Sequence, residues 1–539
     1  MTRRPTPGYS DKDAERSAKE REATGSSISI FANLRAASRT LGQNTAGSPP
    51  PERASAPRDG AVTKQIRGSS LLVFGRLIAL VINFAAQVIV IRHLSKSDYG
   101  ALAYGQTIAA ALQSVVVFGL SDTIARYVPM YREQQAYGKM YGTIIVAVTT
   151  VLLLSVPVVA AALQFPGIAT SVMVQDAREQ APAILLMLVF LVPLEGLGML
   201  LNNLFAIFAE PSAIFWRRAV LTPGIKLVAV GMVAFSGASV TAFAAGFFAA
   251  SAVTLVLYTA YLLNHLRRTG ALQHVRFRTL EYPVRELFGF ALPLLTSTAI
   301  WLMMEYGNTM MLGWFGGAAE VAAYQAVLPL ARTNQFVLMS SSVLFMPAAA
   351  TLYARGEYER IGDLYRKTAL WTALLSFPVF AMTFNFARPL TQQLYGERYT
   401  DSAYVLAALA IGYFFQAATG FNGLTLQLFK KQRFSVAADM VTAALTIALS
   451  LLLIPRYGAI GAAISTAATS ILCNVLRQIG LHALVGIRII RGQYLAMYAA
   501  MALAAVCLWV CGWLLHAPLV VAARSPGLSR WCCCVVVAM

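Results

Sequence analysis

Charged residues are scarce in this chain. Asp, Glu, Lys and Arg make up 12% of its 539 residues, about half of the ~25% usual in soluble domains. With 58% of the sequence hydrophobic, it cannot clothe itself for water and reads as an all-α integral membrane protein. Histidine is scarcer still: His93, His265, His274, His482 and His516 sit at span ends and in loops, without metal-ligand spacing. The cysteines (Cys473, Cys507, Cys511, Cys532, Cys533, Cys534) all fall late, with no paired CxxC to hold zinc. The Cys532–Cys534 run reads as a loosely constrained terminus rather than a lipidation signal. There is no GxxxxGK[ST] phosphate loop, no HExxH and no Ser/His/Asp set. These absences exclude transport driven by the chain's own ATP hydrolysis. No enzyme is expected, and no cofactor apart from a coupling Na⁺ or H⁺.

The charge that is present leans positive, at +19 net. The cations gather in the N-terminal tail and the inter-helix loops, where membrane topology demands them, so a nucleic-acid partner is not expected. Residues 1–67 are rich in Pro, Ser, Ala, Arg and Glu, with a PPPER cluster at Pro49–Arg53; they predict a disordered basic tail. Arg3–Arg4 lacks the apolar stretch of a twin-arginine leader. Ser27–Leu41 reads as solvated tail rather than an amphipathic membrane helix.

From Ser69 onward, apolar runs follow one another, each of the ~20 residues needed to cross ~30 Å of hydrocarbon. They predict spans near 69–92, 101–120, 142–165, 183–208, 214–236, 240–264, 286–312, 322–348, 368–386, 402–428, 435–454, 458–484 and 494–516. A fourteenth, near 518–539, is interrupted by Arg524, Pro526 and Arg530. Roughly nineteen basic loop residues fall on the tail's side against six on the other, which predicts a cytoplasmic N-terminus in a multi-pass inner-membrane protein. The expected organisation is an N-lobe of helices 1–6 (68–265), a basic linker (266–285), a C-lobe of helices 7–12 (286–485) and accessory helices (486–539). Both lobes start from the same side, as parallel repeats around a central cavity do.

An internal echo supports the duplication. Laying Asp98 on Glu320 places Arg76 on Thr298, Asn83 on Glu305 and Gln87 on Thr309. Positions i, i+7 and i+11 share one wedge of a helix, so the first and seventh spans each carry one polar stripe, expected to face each other. Glu305 stands out, because a carboxylate at the bilayer centre costs ~2.5–3.5 kcal/mol on insertion scales.

Other charges also lie inside spans. Arg76 is ~10 Å into the first, Lys226 is deep in the fifth beyond Arg218 and Thr222, and Arg332 is mid-way along the eighth beside Asn334 and Gln335. Three cations from both halves can line one cavity and bind an anion, for which arginine's planar fork suits phosphate. The alternative is that each pairs with a carboxylate or snorkels to a headgroup. Glu195, Glu305 and Asp439 are the intramembrane acids. Asp439 belongs to a stripe of Ser435, Thr442, Thr446 and Ser450, and the next span adds Thr466, Ser470, Asn474 and Arg477. Carboxylates ringed by hydroxyls suit a coupling ion; plain interhelical hydrogen bonding is the rival account, and Glu195 can simply neutralise a cation. The candidate substrate-binding set is therefore Arg76, Lys226, Arg332, Asn83, Gln87 and Gln335. The candidate ion-coupling set is Glu305, Asp439, Glu195, Thr442 and Thr466. No resident metal site is expected.

Four segments resemble a known group: HLSKSDYGALAY (His93–Tyr104), FALPLLTSTAIW…GNTMMLGWFGGAAEVAAY (Phe290–Tyr324), YGERY (Tyr395–Tyr399) and IPRYGAIGAAIST (Ile454–Thr466). In order and spacing they are similar to the Wzx-type flippases of the multidrug/oligosaccharidyl-lipid/polysaccharide (MOP) superfamily. The resemblance implies two six-helix lobes around a V-shaped cavity. It also implies export of an undecaprenyl-pyrophosphate-linked oligosaccharide to the outer leaflet by ion- or potential-driven alternating access. Partner glycosyltransferases and a polymerase would follow. Rivals are a multidrug/cation antiporter, which would want an acidic cavity, a peptidoglycan lipid-precursor flippase, and a non-transporting scramblase or scaffold.

Overall fold

In a computed structural model of the chain, the described residues are 59–164, 187–208, 215–237, 239–270, 280–487, 496–501, 503–507 and 510. Arg67–Met539 forms one compact body. Every regular element among the described residues is helical, as lipid requires of a chain whose backbone groups must find partners within their own segment.

The first half contains α1 (Asp59–His93), α2 (Lys96–Val117), α3 (Leu120–Glu133) and α4 (Tyr137–Gln164). It continues with α5 (Leu191–Phe208), α6 (Trp216–Phe235) and α7 (Val240–Arg268). The second half contains α8 (Val284–Gly316), α9 (Ala318–Ala354), α10 (Tyr358–Asn385), α11 (Ala387–Tyr395), α12 (Ser402–Leu428) and α13 (Gln432–Val485). A shorter apolar helix, α14 (Ala496–Cys507), follows.

Eleven of these are long and apolar enough to span a membrane. The 54-residue α13 bends back at Gly458 (φ 54°), so it accounts for two predicted spans and the first twelve all find a counterpart. The bend requires glycine on two counts: φ is positive, and a Cβ there would lie 2.3 Å from Glu320 Oε2. Glu320 fills that space itself, accepting the Ala459 N–H at 2.6 Å and so capping the return arm of α13. The thirteenth predicted span corresponds in part to α14; the fourteenth lies outside the described residues, as do residues 1–58 of the predicted tail.

Two helices have no counterpart among the predicted spans. Both α3 and α11 are short and amphipathic, and a search for continuous apolar runs passes over such segments. α10 begins ten residues earlier than expected, at Tyr358, where pairs of opposite charge one turn apart (Arg360–Glu357 and Arg366–Asp363) support a polar extension.

The halves meet through small residues. A Cβ on Gly100 of α2 would lie 1.8 Å from the Ala318 carbonyl oxygen of α9, and one on Gly313 of α8 would strike the Tyr104 ring. Such close backbone approach is how membrane helices gain packing energy without a hydrophobic drive.

Candidate functional site

Among the polar cavities lined by described residues, three hold the charged side chains of the spans: one lies between the halves and one within each. The central cavity, of about 340 Å³, is lined by Asn83 and Gln87 of α1, Lys226 of α6, Glu305 and Tyr306 of α8, and Gln325 and Arg332 of α9. Asn83 and Gln87 of the first span therefore face Glu305 of the seventh, whereas Arg76, Thr298 and Thr309 of the same stripes do not line the void; five of the eleven candidate residues share it. Thr309, expected opposite Gln87, accepts the Gln325 side-chain amide at 2.9 Å.

Proline shapes this cavity. Pro329 has no N–H, so the carbonyl four residues earlier, that of Gln325, loses its helical partner. The Gln87 side chain supplies one, donating to Gln325 O at 3.1 Å and to the Tyr99 hydroxyl at 3.0 Å. Gln87 thus ties the halves together. Beyond Pro329 the helix tightens into a 3-10 turn at Thr333–Gln335. Arg332, just before the turn, reaches Glu305 (Nη2–Oε1 2.7 Å) and donates through Nε to the Tyr413 hydroxyl at 3.3 Å. Both charged side chains remain partly open to the void, at 38% and 28% exposure. Within the cavity two cations, Lys226 and Arg332, face one carboxylate.

The other intramembrane acids are also paired. Glu195 lies 3.4 Å from Lys226 and accepts the Ser251 hydroxyl at 2.7 Å. Asp439 accepts Arg477 Nη2 at 2.6 Å and the Cys473 thiol at 3.5 Å. The expected acid–hydroxyl rings do not form. Thr442 is buried and donates back to Ala438 O. Thr466 sits in a separate network, accepting from Asn308 at 2.7 Å and touching the Tyr324 hydroxyl at 2.9 Å. Among the described residues no group of three His, Cys, Asp or Glu could hold a metal ion. Glu305, Asp439 and Glu195 are thus each held by a cation in a different cavity, and the six-residue binding set is likewise divided. Gln335 turns from the central void to donate to Gln416 at 2.6 Å. Arg76 is exposed and lines none of the cavities described here, with no hydrogen bond or ion pair to another described residue. The expectation that Arg76, Lys226 and Arg332 share one void holds for the latter two only. Seven residues and two helical turns separate Arg76 from Asn83, which does reach it.

The two flanking cavities differ in character. Within the first half, about 210 Å³ is lined by Glu195, Arg217, Arg218, Lys226, Ser251 and Tyr258, among others. Within the second, about 480 Å³ is lined by amides and hydroxyls, including Gln416, Asn422, Gln427, Gln432, Ser435 and Asn474, with the Asp439–Arg477 pair.

The α1–α2 turn, the α8–α9 turn, Tyr395–Tyr399 and the bend at Gly458, one from each resembling segment, gather at one end of the bundle, while Phe290 lies at the other. Arg92 donates to Leu394 O at 2.8 Å, near the end of α11, while Arg398 donates to Ile91 O and Arg92 O at 2.9 and 2.8 Å, at the end of α1. Each arginine caps the other half's helix terminus, where free carbonyls and the helix dipole favour a cation. Lys96–Asp401 adds an ion pair. Tyr395 and Tyr399 pack edge to face beside it, and burial holds both phenols well above their ordinary pKa. At the loop end, Tyr131 of α3 donates to Glu286 at 2.7 Å, and the Arg126 guanidinium lies 4.5 Å above the Phe290 ring.

Two halves around a charged central cavity, joined at one end, are the build of a membrane transporter. The polysaccharide biosynthesis protein family profile matches residues 66–353, and the MatE profile matches 293–452. The chain belongs to the polysaccharide biosynthesis protein family. It is 20% identical to an uncharacterized membrane protein of Methanocaldococcus jannaschii, covering 75% of this chain and 81% of that one. It is 23% identical to a putative O-antigen transporter of Shigella flexneri over 45% of this chain and 56% of the relative. A probable low-salt glycan biosynthesis flippase of Haloferax volcanii is 22% identical over 38% and 43%. Among solved structures, an inward-facing MATE family multidrug resistance transporter of the MOP superfamily superposes with a TM-score of 0.63 at 14% identity, covering 76% of this chain and 94% of that one. The lipid II flippase MurJ, in an inward closed conformation, superposes with 0.60 at 12% identity, over 85% and 99%. The fold is that of the MOP superfamily.

Proposed function

We propose that this protein is a glycan flippase, carrying an undecaprenyl-pyrophosphate-linked oligosaccharide from the cytoplasmic to the outer leaflet of the cell membrane. The observation that carries this reading is the central cavity, lined by Lys226 and Arg332 from opposite halves, where Arg332 is held by Glu305 and Lys226 only loosely, at 3.4 Å, by Glu195 from the neighbouring cavity. A pyrophosphate group competes with Glu305 for Arg332, and a bidentate guanidinium–phosphate contact is stronger there than in bulk water. Such a cavity disfavours the cationic drugs of a multidrug antiporter. The amide-rich cavity of the second half offers the donors and acceptors that sugar hydroxyls need.

The basic-loop end is the cytoplasmic one by the positive-inside rule, so the arginine clasp closes the outer end and the substrate enters from the cytoplasm. Protonation of Glu305, or a Na⁺ at its carboxylate, frees Arg332 for the substrate and couples the cycle to an ion gradient. Each charge moved through the field supplies ~2.3 kcal/mol per 100 mV, enough to bias a two-state rocker. Glycosyltransferases that build the substrate and a polymerase that consumes it are the fitting partners.

The test is Arg332→Ala in cells that depend on this protein for surface polysaccharide. Export stops while the protein still reaches the membrane. Normal surface glycan from that variant removes the central cavity from the mechanism.

A further inference from the structure

The cavity within the first half is built around the Arg217 guanidinium, which has no carboxylate partner among the described residues. α6 opens with a π-helical turn, Trp216–Leu221. Pro223 cannot bond to Ala219 O, and the Thr222 N–H reaches back five residues to Arg217 O. Tyr258 of α7 fixes this wider turn by donating to the same Arg217 carbonyl at 3.0 Å, with its hydroxyl 2.7 Å from Thr222 Oγ1. Such turns frequently mark functional sites. Arg217 itself is 7% exposed. Its guanidinium lies 4.4 Å from the Phe205 ring centre and 4.2 Å from that of Tyr258. The Nε is buried without a hydrogen bond, and no carboxylate among the described residues pairs with Arg217.

Arg217 shares the cavity with Arg218 and Lys226, against one acid, Glu195, already engaged by Lys226 and Ser251. Ring faces hold a guanidinium flat and leave its edge for a ligand. The ligand that matches is a compact anion with several oxygens. At about 210 Å³, with a water taking ~30 Å³ of liquid, the space suits a phosphate or pyrophosphate group rather than a sugar chain. Lys226 also lines the central cavity, so the two spaces share a cation. Nine residues separate Arg217 from Lys226, a rise of ~13 Å along the helix.

We propose that the cavity at the π-turn of α6 is a second anion site, a loading site for the substrate's pyrophosphate before Lys226 hands it to the central cavity. This rests on the flippase reading for the identity of the substrate, while the anion site stands on its own geometry. The experiment uses the full-length protein in nanodiscs of zwitterionic lipid, titrated with inorganic pyrophosphate by calorimetry. Arg332→Gln weakens the central site and leaves a second binding event in place. Adding Arg217→Gln, or Arg218→Gln at an exposed position, lowers the remaining affinity at least tenfold, while Arg217→Lys restores it only in part. Remaining binding that neither N-lobe substitution alters, or that is absent, overturns the site. A polyprenyl pyrophosphate in the nanodisc displaces inorganic pyrophosphate from this site, and phosphatidylglycerol at the same mole fraction does not. Displacement by phosphatidylglycerol assigns the cavity to bulk lipid headgroups and overturns the loading role. Normal export by Arg332→Gln cells defeats the flippase mechanism without touching the calorimetric result, so the two readings fail separately.

Discussion

The cavities of the two halves make a sharp contrast on one repeated scaffold. The first is small and cationic, with Arg217, Arg218 and Lys226 around a single carboxylate. The second is more than twice as large, amide-lined, and holds one balanced pair, Asp439–Arg477. The pairs differ too. Lys226–Glu195 is loose at 3.4 Å and Arg477–Asp439 is close at 2.6 Å. On the proposed reading, the small cationic cavity takes the phosphate and the amide-lined one the sugar. A loosely held lysine can change partners, whereas a closely held arginine is part of the wall.

That contrast breaks most visibly at the carboxylates. Asp439→Asn leaves Arg477 without a counter-charge, with both side chains about a quarter exposed. Removing one partner of a fully buried pair costs ~3–5 kcal/mol, and partial hydration here reduces that to about 2 kcal/mol. Thermal unfolding in detergent should show a clear drop for Asp439→Asn and a smaller one for Glu195→Gln, whose pair is looser and more exposed. Equal shifts would mean that the two pairs are equivalent and the division of labour is false. Asp439→Asn also tests the wall role: headgroup translocation in vesicles should keep its dependence on the ion gradient, and loss of that dependence would place Asp439 in ion coupling.

A middle-sized effect is expected where the halves meet. Gln87→Leu removes the donor that satisfies the Gln325 carbonyl opposite Pro329. A buried acceptor left unpaired costs ~1–3 kcal/mol, so the variant should be less stable by about 1 kcal/mol and less well held across the central cavity. Pro329→Ala in the same background gives Gln325 its helical N–H back and should restore stability. Failure of that rescue would show that Gln87 acts on something other than the proline's orphan.

Much of this was legible in the residues themselves. Apolar runs of membrane length located the twelve crossings, and the matched stripes of Asn83, Gln87 and Glu305 located the cavity, because helical periodicity is local information. The gathering of turns from four distant segments at one end is tertiary, although their resemblance marked them as special. Charge pairing was hidden for a related reason. Partners stand 31 and 38 positions apart in Lys226–Glu195 and Arg477–Asp439, so a carboxylate that looks like an ion site along its own helix is neutralised from the next. Arg217 falls at the start of the predicted span 214–236, and its burial between Phe205 and Tyr258 depends on a π-turn that hydropathy does not register. Arg76 shows the converse, a deep position along a span that lines none of the three charged cavities.

The smallest effect should come from the clasp at the far end, and it separates two kinds of ionic contact. Lys96–Asp401 joins a lysine to an acid that is 53% exposed; such pairs contribute ~0–1 kcal/mol, and salt screens them. Lys96→Ala should leave the unfolding midpoint nearly unchanged. Arg398 lies beside it yet has a different task, because its guanidinium meets the last carbonyls of α1, at Ile91 and Arg92. Those acceptors belong to a helix terminus and lose their cap when the side chain goes, so Arg398→Ala should cost more than Lys96→Ala, by about 1 kcal/mol. The same variant should loosen the outer closure, read as faster labelling of a cysteine placed at Gln393. Should Lys96→Ala prove the more damaging of the two, the closure is held by exposed charge attraction, and the reciprocal arginine caps are incidental to it.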